Sequence, residues 1–88
     1  MNDLNIKTLI YRSVHRGCKE IDYLLGDFAT SELGNLSDEE LLQYSELLKV
    51  DDNLLYNWFN GMIAIPPEYN NSVINKIIKY NAQRFTTS

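Results

Sequence analysis

The stretch Ile6-Lys7-Thr8-Leu9-Ile10-Tyr11-Arg12-Ser13-Val14-His15-Arg16-Gly17-Cys18-Lys19-Glu20-Ile21-Asp22-Tyr23-Leu24-Leu25-Gly26-Asp27-Phe28 decides the fold, because it carries two helical patterns joined at a glycine. Before Gly17, the apolar residues Ile6, Leu9, Ile10 and Val14 recur at helical spacing; after it, Ile21, Leu24, Leu25 and Phe28 do the same. Gly17 is therefore predicted to be the left-handed residue that ends the first helix. Arg12, His15 and Arg16 then fall in its last turn, where positive charge suits the carbonyl end of the dipole. Glu20 and Asp22 fall near the amide end of the second helix, where negative charge is favoured. An Arg16–Glu20 pair at i,i+4 would add only about 0.2–0.5 kcal/mol. Gly26 sits inside the second pattern at a cost of about 1 kcal/mol relative to alanine, which marks a place for a kink.

Working outward, Gly34-Asn35 ends the second helix, and Ser37-Asp38-Glu39-Glu40 reads as a capping box opening a third. Leu41, Tyr44 and Leu48 give that helix its buried stripe. Asp51 or Asp52 caps a fourth, whose inward side is expected to carry Leu54, Leu55, Trp58, Phe59 and Met62. Asn60-Gly61 and Pro66-Pro67 mark the stop and the next start. A fifth helix is expected to begin near Pro67, with Val73, Ile74, Ile77 and Ile78 inward. No segment alternates with period two between turn signals. The predicted fold is all-α, a compact bundle of five short helices, forming a single domain over residues 1–88.

Composition narrows the function. The chain has 88 residues, of which 44% are hydrophobic and 11% aromatic, which sets aside a disordered polymer. A formal charge of -4 and no Lys/Arg-rich face count against nucleic-acid binding. Cys18 is the single cysteine, so no internal disulfide forms, in keeping with a reducing compartment. With His15 as the single histidine, a structural zinc site lacks ligands, and no metal is expected. No run approaches the roughly 20 apolar residues of a membrane span, and the first residues have no apolar signal core, so a cytoplasmic location without membrane insertion is expected. Neither a nucleophile–base pair nor a metal set can be assembled, so an enzyme is not expected.

What remains is a surface. In Arg16-Gly17-Cys18-Lys19-Glu20, a backbone without a side chain lies between a forked cation and a carboxylate, a corner suited to docking. This pentad resembles the RGxxE signature of the succinate dehydrogenase flavinylation-factor family, whose bacterial members are called SdhE. Leu9-Ile10-Tyr11-Arg12-Ser13 before it and Ile21-Asp22-Tyr23-Leu24-Leu25-Gly26-Asp27-Phe28 after it are also similar to that family. So are Leu36-Ser37-Asp38-Glu39-Glu40 and Asp51-Asp52 with Tyr56-Asn57-Trp58, so that the resemblance runs in order over roughly residues 6 to 84. His15 is a departure, since members often carry a second basic side chain there.

The resemblance implies an assembly factor that binds the flavoprotein subunit of succinate dehydrogenase, or of fumarate reductase, and promotes its covalent FAD attachment. It implies no cofactor held by this chain, because the FAD and its histidine belong to the client, so His15 is not the flavin-linked residue. Gly17 would permit close approach while Arg16 and Glu20 contact the flavoprotein near its FAD pocket; His15, Arg12, Tyr11 and Tyr23 complete the expected partner-binding set. Trp58 and Cys18 read as packed residues, and Asp51 and Asp52 most simply as a helix cap. The chain is expected to be monomeric. The alternative is a small acidic regulatory adaptor, antitoxin-like, that masks another protein's surface.

Overall fold

Asn5 opens the first helix: its side-chain oxygen accepts the Thr8 amide at 3.2 Å, satisfying one of the unpaired N–H groups of a helix start. The computed structural model describes residues 5–86, with side chains described through residue 83. Five helices follow in order: α1 (Ile6–Val14), α2 (Lys19–Glu32), α3 (Asp38–Leu47), α4 (Asp52–Phe59) and α5 (Ser72–Thr86). Short 3-10 turns at Leu33–Asn35 and Pro67–Tyr69 follow α2 and precede α5. No strand occurs among the described residues, and the all-α expectation holds.

The boundaries correct the sequence reading in two places. α1 stops at Val14 with His15 as its cap, so Arg12 alone lies in its last turn and Arg16 lies outside any helix. α5 begins at Ser72 instead of near Pro67. The Asn71 side chain accepts the Ile74 amide at 3.1 Å, which starts the helix there, while Pro67 serves the preceding turn. The other caps form as expected. Ser37 Oγ accepts the Glu40 amide at 3.2 Å and Glu40 reaches back to the Ser37 amide at 3.1 Å. Asp51 is the α4 cap, accepting the Asn53 amide at 3.0 Å.

α2 packs against α1, α4 and α5, and α5 also packs on α3. Leu9, Ile21, Leu25, Phe28, Leu33, Tyr44, Leu55, Val73, Ile74 and Ile77 are buried in one cluster. Each large aliphatic among them contributes roughly 1.5–3 kcal/mol by leaving water. The radius of gyration is 12.2 Å, close to the ~12 Å of a compact chain of this length. Several residues of the apolar-periodic sets are not buried. Ile6, Val14, Leu54 and Ile78 are each more than a third exposed, and Met62 is 75% exposed. A short helix buries one stripe: Leu55 and Trp58, three apart, fill it in α4, which turns Leu54 outward. Met62 lies past Gly61, whose φ of +81° follows the end of α4. At Gly26, α2 runs on without a break instead of interrupting.

Buried polar groups also link the helices across the core. Ser13 Oγ donates to the Leu9 carbonyl at 2.7 Å and accepts from the Tyr44 hydroxyl at 2.5 Å, which joins α1 to α3. Asn81 Nδ2 donates to the Leu24 carbonyl at 3.2 Å, joining α5 to α2. At the other end of α3, Glu40 also meets Lys76 Nζ at 2.7 Å and Ser72 Oγ at 2.9 Å, which ties the starts of α3 and α5 together. These contacts hold its carboxyl down at about 2; the Lys76 hydrogen bond is the largest cause, followed by the Ser37 amide and the Ser72 hydroxyl. No helix among the described residues is long and apolar enough to cross a membrane.

Candidate functional site

The break between α1 and α2 is made by chemistry on both sides of Gly17. Gly17 has φ +90°, which side-chain-bearing residues rarely adopt, so the turn needs glycine at this position. It is exposed, and a Cβ built there would meet nothing within 4 Å. The packing of this chain therefore leaves the space over Gly17 open. Its bare backbone faces outward.

Arg16 points the other way. Its side chain is only 11% exposed, and its guanidinium gives each nitrogen a separate acceptor. Nε donates to Asp52 Oδ1 at 2.5 Å, Nη1 to the Leu48 carbonyl at 2.7 Å and Nη2 to the Val50 carbonyl at 2.5 Å. The two carbonyls follow α3, where a helix leaves acceptors unsatisfied, and Asp52 lies in the first turn of α4. The Arg16 amide donates to Asp22 Oδ1 at 3.0 Å, which fixes the same residue to α2. The expected Arg16–Glu20 pair does not form, because Arg16 is outside α2 and its fork is held by the α3–α4 connection. Of the two cap candidates, Asp51 fills that role and Asp52 is the ion partner of Arg16. The Asp51-Asp52 doublet was the available signal, since one helix start needs one cap.

The other predicted residues surround the corner. Glu20 is exposed in the first turn of α2, with the Cys18 thiol 3.4 Å from its Oε1. Cys18 is half-buried against the core and gives α2 no side-chain cap. Tyr11 and His15 stack, with ring centroids 4.0 Å apart and planes 23° from parallel. His15 Nδ1 donates to the Tyr11 carbonyl at 2.9 Å, which holds the imidazole on the end of α1. Tyr11 is 62% exposed, Arg12 is exposed, and Tyr23, three residues beyond Glu20 on α2, is about half exposed. Trp58 is buried against Tyr69, as its packed reading anticipates. No group of three or more His, Cys, Asp or Glu among the described residues is placed to hold a metal.

A small helical protein with a braced, solvent-facing corner between two helices is thus defined. The chain belongs to the family described as flavinator of succinate dehydrogenase, whose profile matches residues 7–81. It is 34% identical over 77 residues to succinate dehydrogenase assembly factor 2, mitochondrial, of Dictyostelium discoideum, covering 88% of this chain and 54% of that protein. It is 36% identical over 78 residues to the protein of the same name from Meyerozyma guilliermondii, covering 85% and 58%. A bacterial relative, the FAD assembly factor SdhE of Acetobacter pasteurianus, is 27% identical over 73 residues, covering 83% and 67%. The chain thus spans little more than half the length of the two eukaryotic relatives. No solved structure matches it. The mitochondrial names of those two relatives overturn the expected cytoplasmic location. Composition had no power to choose here, because an acidic surface and one unpaired cysteine suit any reducing compartment alike.

Proposed function

We propose that this chain is an assembly factor that docks on the flavoprotein subunit of succinate dehydrogenase and favours covalent attachment of FAD there. The observation that carries the reading is Gly17, exposed and at φ +90° with open space over it, in a family described by flavination of that enzyme. A partner's backbone can approach a residue without a side chain more closely than any other. Glu20 supplies an exposed carboxylate able to accept amides or pair a guanidinium, and Arg12 a cation. The Tyr11–His15 stack and Tyr23 offer flat rim surfaces. Arg16 serves the same site from inside, by fixing where Gly17 lies.

FAD and the histidine that takes it belong to the client in this reading, and the chain acts without chemistry of its own. A protein that binds the reactive arrangement of its partner more tightly raises that arrangement's population. About 1.4 kcal/mol of differential binding is worth a factor of ten. The test is a pull-down with the flavoprotein subunit, together with in-gel flavin fluorescence, for the native chain, Gly17→Arg and Glu20→Ala. Both variants should lose binding and covalent flavin. Normal values in both would refute the proposal, and the fumarate reductase flavoprotein in the same assay distinguishes the client.

A further inference from the structure

We infer that Asp52, on α4 and outside the Arg16–Glu20 segment, is a positioning residue for docking: it holds Arg16 so that the Gly17 corner stays in one conformation. This rests on the proposed docking role of that corner. Beyond the Asp22 carboxylate on the Arg16 amide and the half-buried Cys18, the junction between α1 and α2 has little else to fix it. α1 ends at Val14, α2 begins at Lys19 with no side-chain cap, and a Cβ at Gly17 would meet nothing within 4 Å. Glycine populates positive and negative φ about equally, so the segment on its own would sample several courses. Arg16 is the anchor, and its three nitrogens reach three acceptors that all lie between Leu48 and Asp52. Two of those are backbone carbonyls. Asp52 contributes the single charge among the three, and its side chain is only 23% exposed.

The carboxylate has a second effect. It neutralises a guanidinium that is largely out of water, so removing its charge leaves a nearly buried cation with neutral acceptors alone. Arg16 would then leave for solvent part of the time and take the Gly17 turn with it. A binding surface that is correct only in a fraction of molecules associates more slowly by that fraction, while the complex once formed dissociates as before. Lysine cannot replace arginine here, because one ammonium cannot span three acceptors held in a fork.

The experiment compares the full chain with Asp52→Asn, Arg16→Lys and a control of similar stability loss, Val73→Ala, in the buried face of α5. Association and dissociation with the flavoprotein subunit are followed by surface plasmon resonance, and amide exchange at Gly17 and Cys18 by NMR on the unbound protein. Asp52→Asn and Arg16→Lys should associate about tenfold more slowly with unchanged dissociation, the order expected when a charge-assisted hydrogen bond is reduced to a neutral one or loses part of its donor fork. Exchange at Gly17 and Cys18 should rise in both, and Val73→Ala should keep native association. Native association by Asp52→Asn, or equal slowing by Val73→Ala, overturns the inference while leaving the docking role intact. Absence of binding by the unmodified chain overturns the docking role and this inference with it.

Discussion

Gly26 on α2 and Val14 at the end of α1 meet so closely that a Cβ at position 26 would stand 2.7 Å from Val14 Cγ1. The glycine that weakens α2 as an isolated helix thereby lets α1 lie against it. Gly26→Ala would gain about 1 kcal/mol of helix propensity and lose roughly 1–3 kcal/mol to overpacking against a stiff β-branched side chain. The variant should melt below the native chain. Val14→Ala removes the obstructing methyl, so Gly26→Ala introduced into that background should be neutral or stabilising. A double-mutant cycle by thermal unfolding decides it, and simple additivity would refute the account.

The Tyr44 phenol, buried between Ser13 and Leu25, is pushed up to about 12, chiefly by loss of water and against the opposing pull of the Ser13 hydrogen bond. The folded state thus holds this proton more tightly than the unfolded chain, whose tyrosine has its ordinary value of 10.0. Its contribution to stability is complete below pH 10 and is lost as pH rises through 12. Urea unfolding followed by the fluorescence of Trp58 should show a steeper alkaline decline for the native chain than for Tyr44→Phe.

Ser13→Ala should cost about 1–3 kcal/mol, because it leaves the Tyr44 hydroxyl with only the 3.5 Å contact to the Leu25 carbonyl. Tyr44→Phe should cost less, since Ser13 keeps its bond to Leu9. Combining the two should then cost less than their sum. Chemical denaturation of the three variants measures this.

At the acid end, Glu40 carries the corresponding dependence with the opposite sign. Its carboxyl titrates at about 2 when folded, against 4.5 otherwise, because Lys76, Ser37 and Ser72 favour the ionised form. The stability it supplies is present above pH 4.5 and is lost as pH falls through 2. Glu40→Gln should flatten that part of the acid profile, and should cost up to about 1 kcal/mol at neutral pH through loss of the charge facing Lys76, since glutamine still fits the capping box.

Gly17 tests conformation apart from contact. Asparagine tolerates positive φ better than alanine, so Gly17→Asn should destabilise less than Gly17→Ala, whose cost is about 1 kcal/mol. The space over Gly17 admits either side chain within the monomer. Both variants should nevertheless weaken flavoprotein capture, because both cover the bare backbone. Full binding by a folded Gly17→Asn would argue that the glycine serves the turn alone.

Much of the fold was legible because it depends on near neighbours. The left-handed Gly17, the Ser37–Glu40 box and a cap from the Asp51-Asp52 pair are local, and each was readable within five residues. The start of α5 was readable too, in Asn71-Ser72, but the prolines upstream were the louder signal and mark only a turn. The inward faces were less legible. Leu54, Ile78 and Met62 are apolar, yet the helices have room on one stripe only, and which apolar residue fills it depends on the neighbour.

The sequence by itself determined that this protein is helical, that a Ser37–Glu40 box opens α3 and an aspartate of the Asp51-Asp52 pair caps α4, and which glycine opens an exposed corner, because helix periodicity, capping and positive φ are properties of a few adjacent residues. The tertiary structure alone decided what Arg16 does. A cation beside Gly17 reads from sequence as part of the outward corner, in reach of Glu20. Packing instead brings Asp52 and the carbonyls of Leu48 and Val50 beneath it, more than thirty residues away along the chain. A guanidinium takes the arrangement that gives all its donors acceptors, and no local rule could foresee which acceptors the fold would supply.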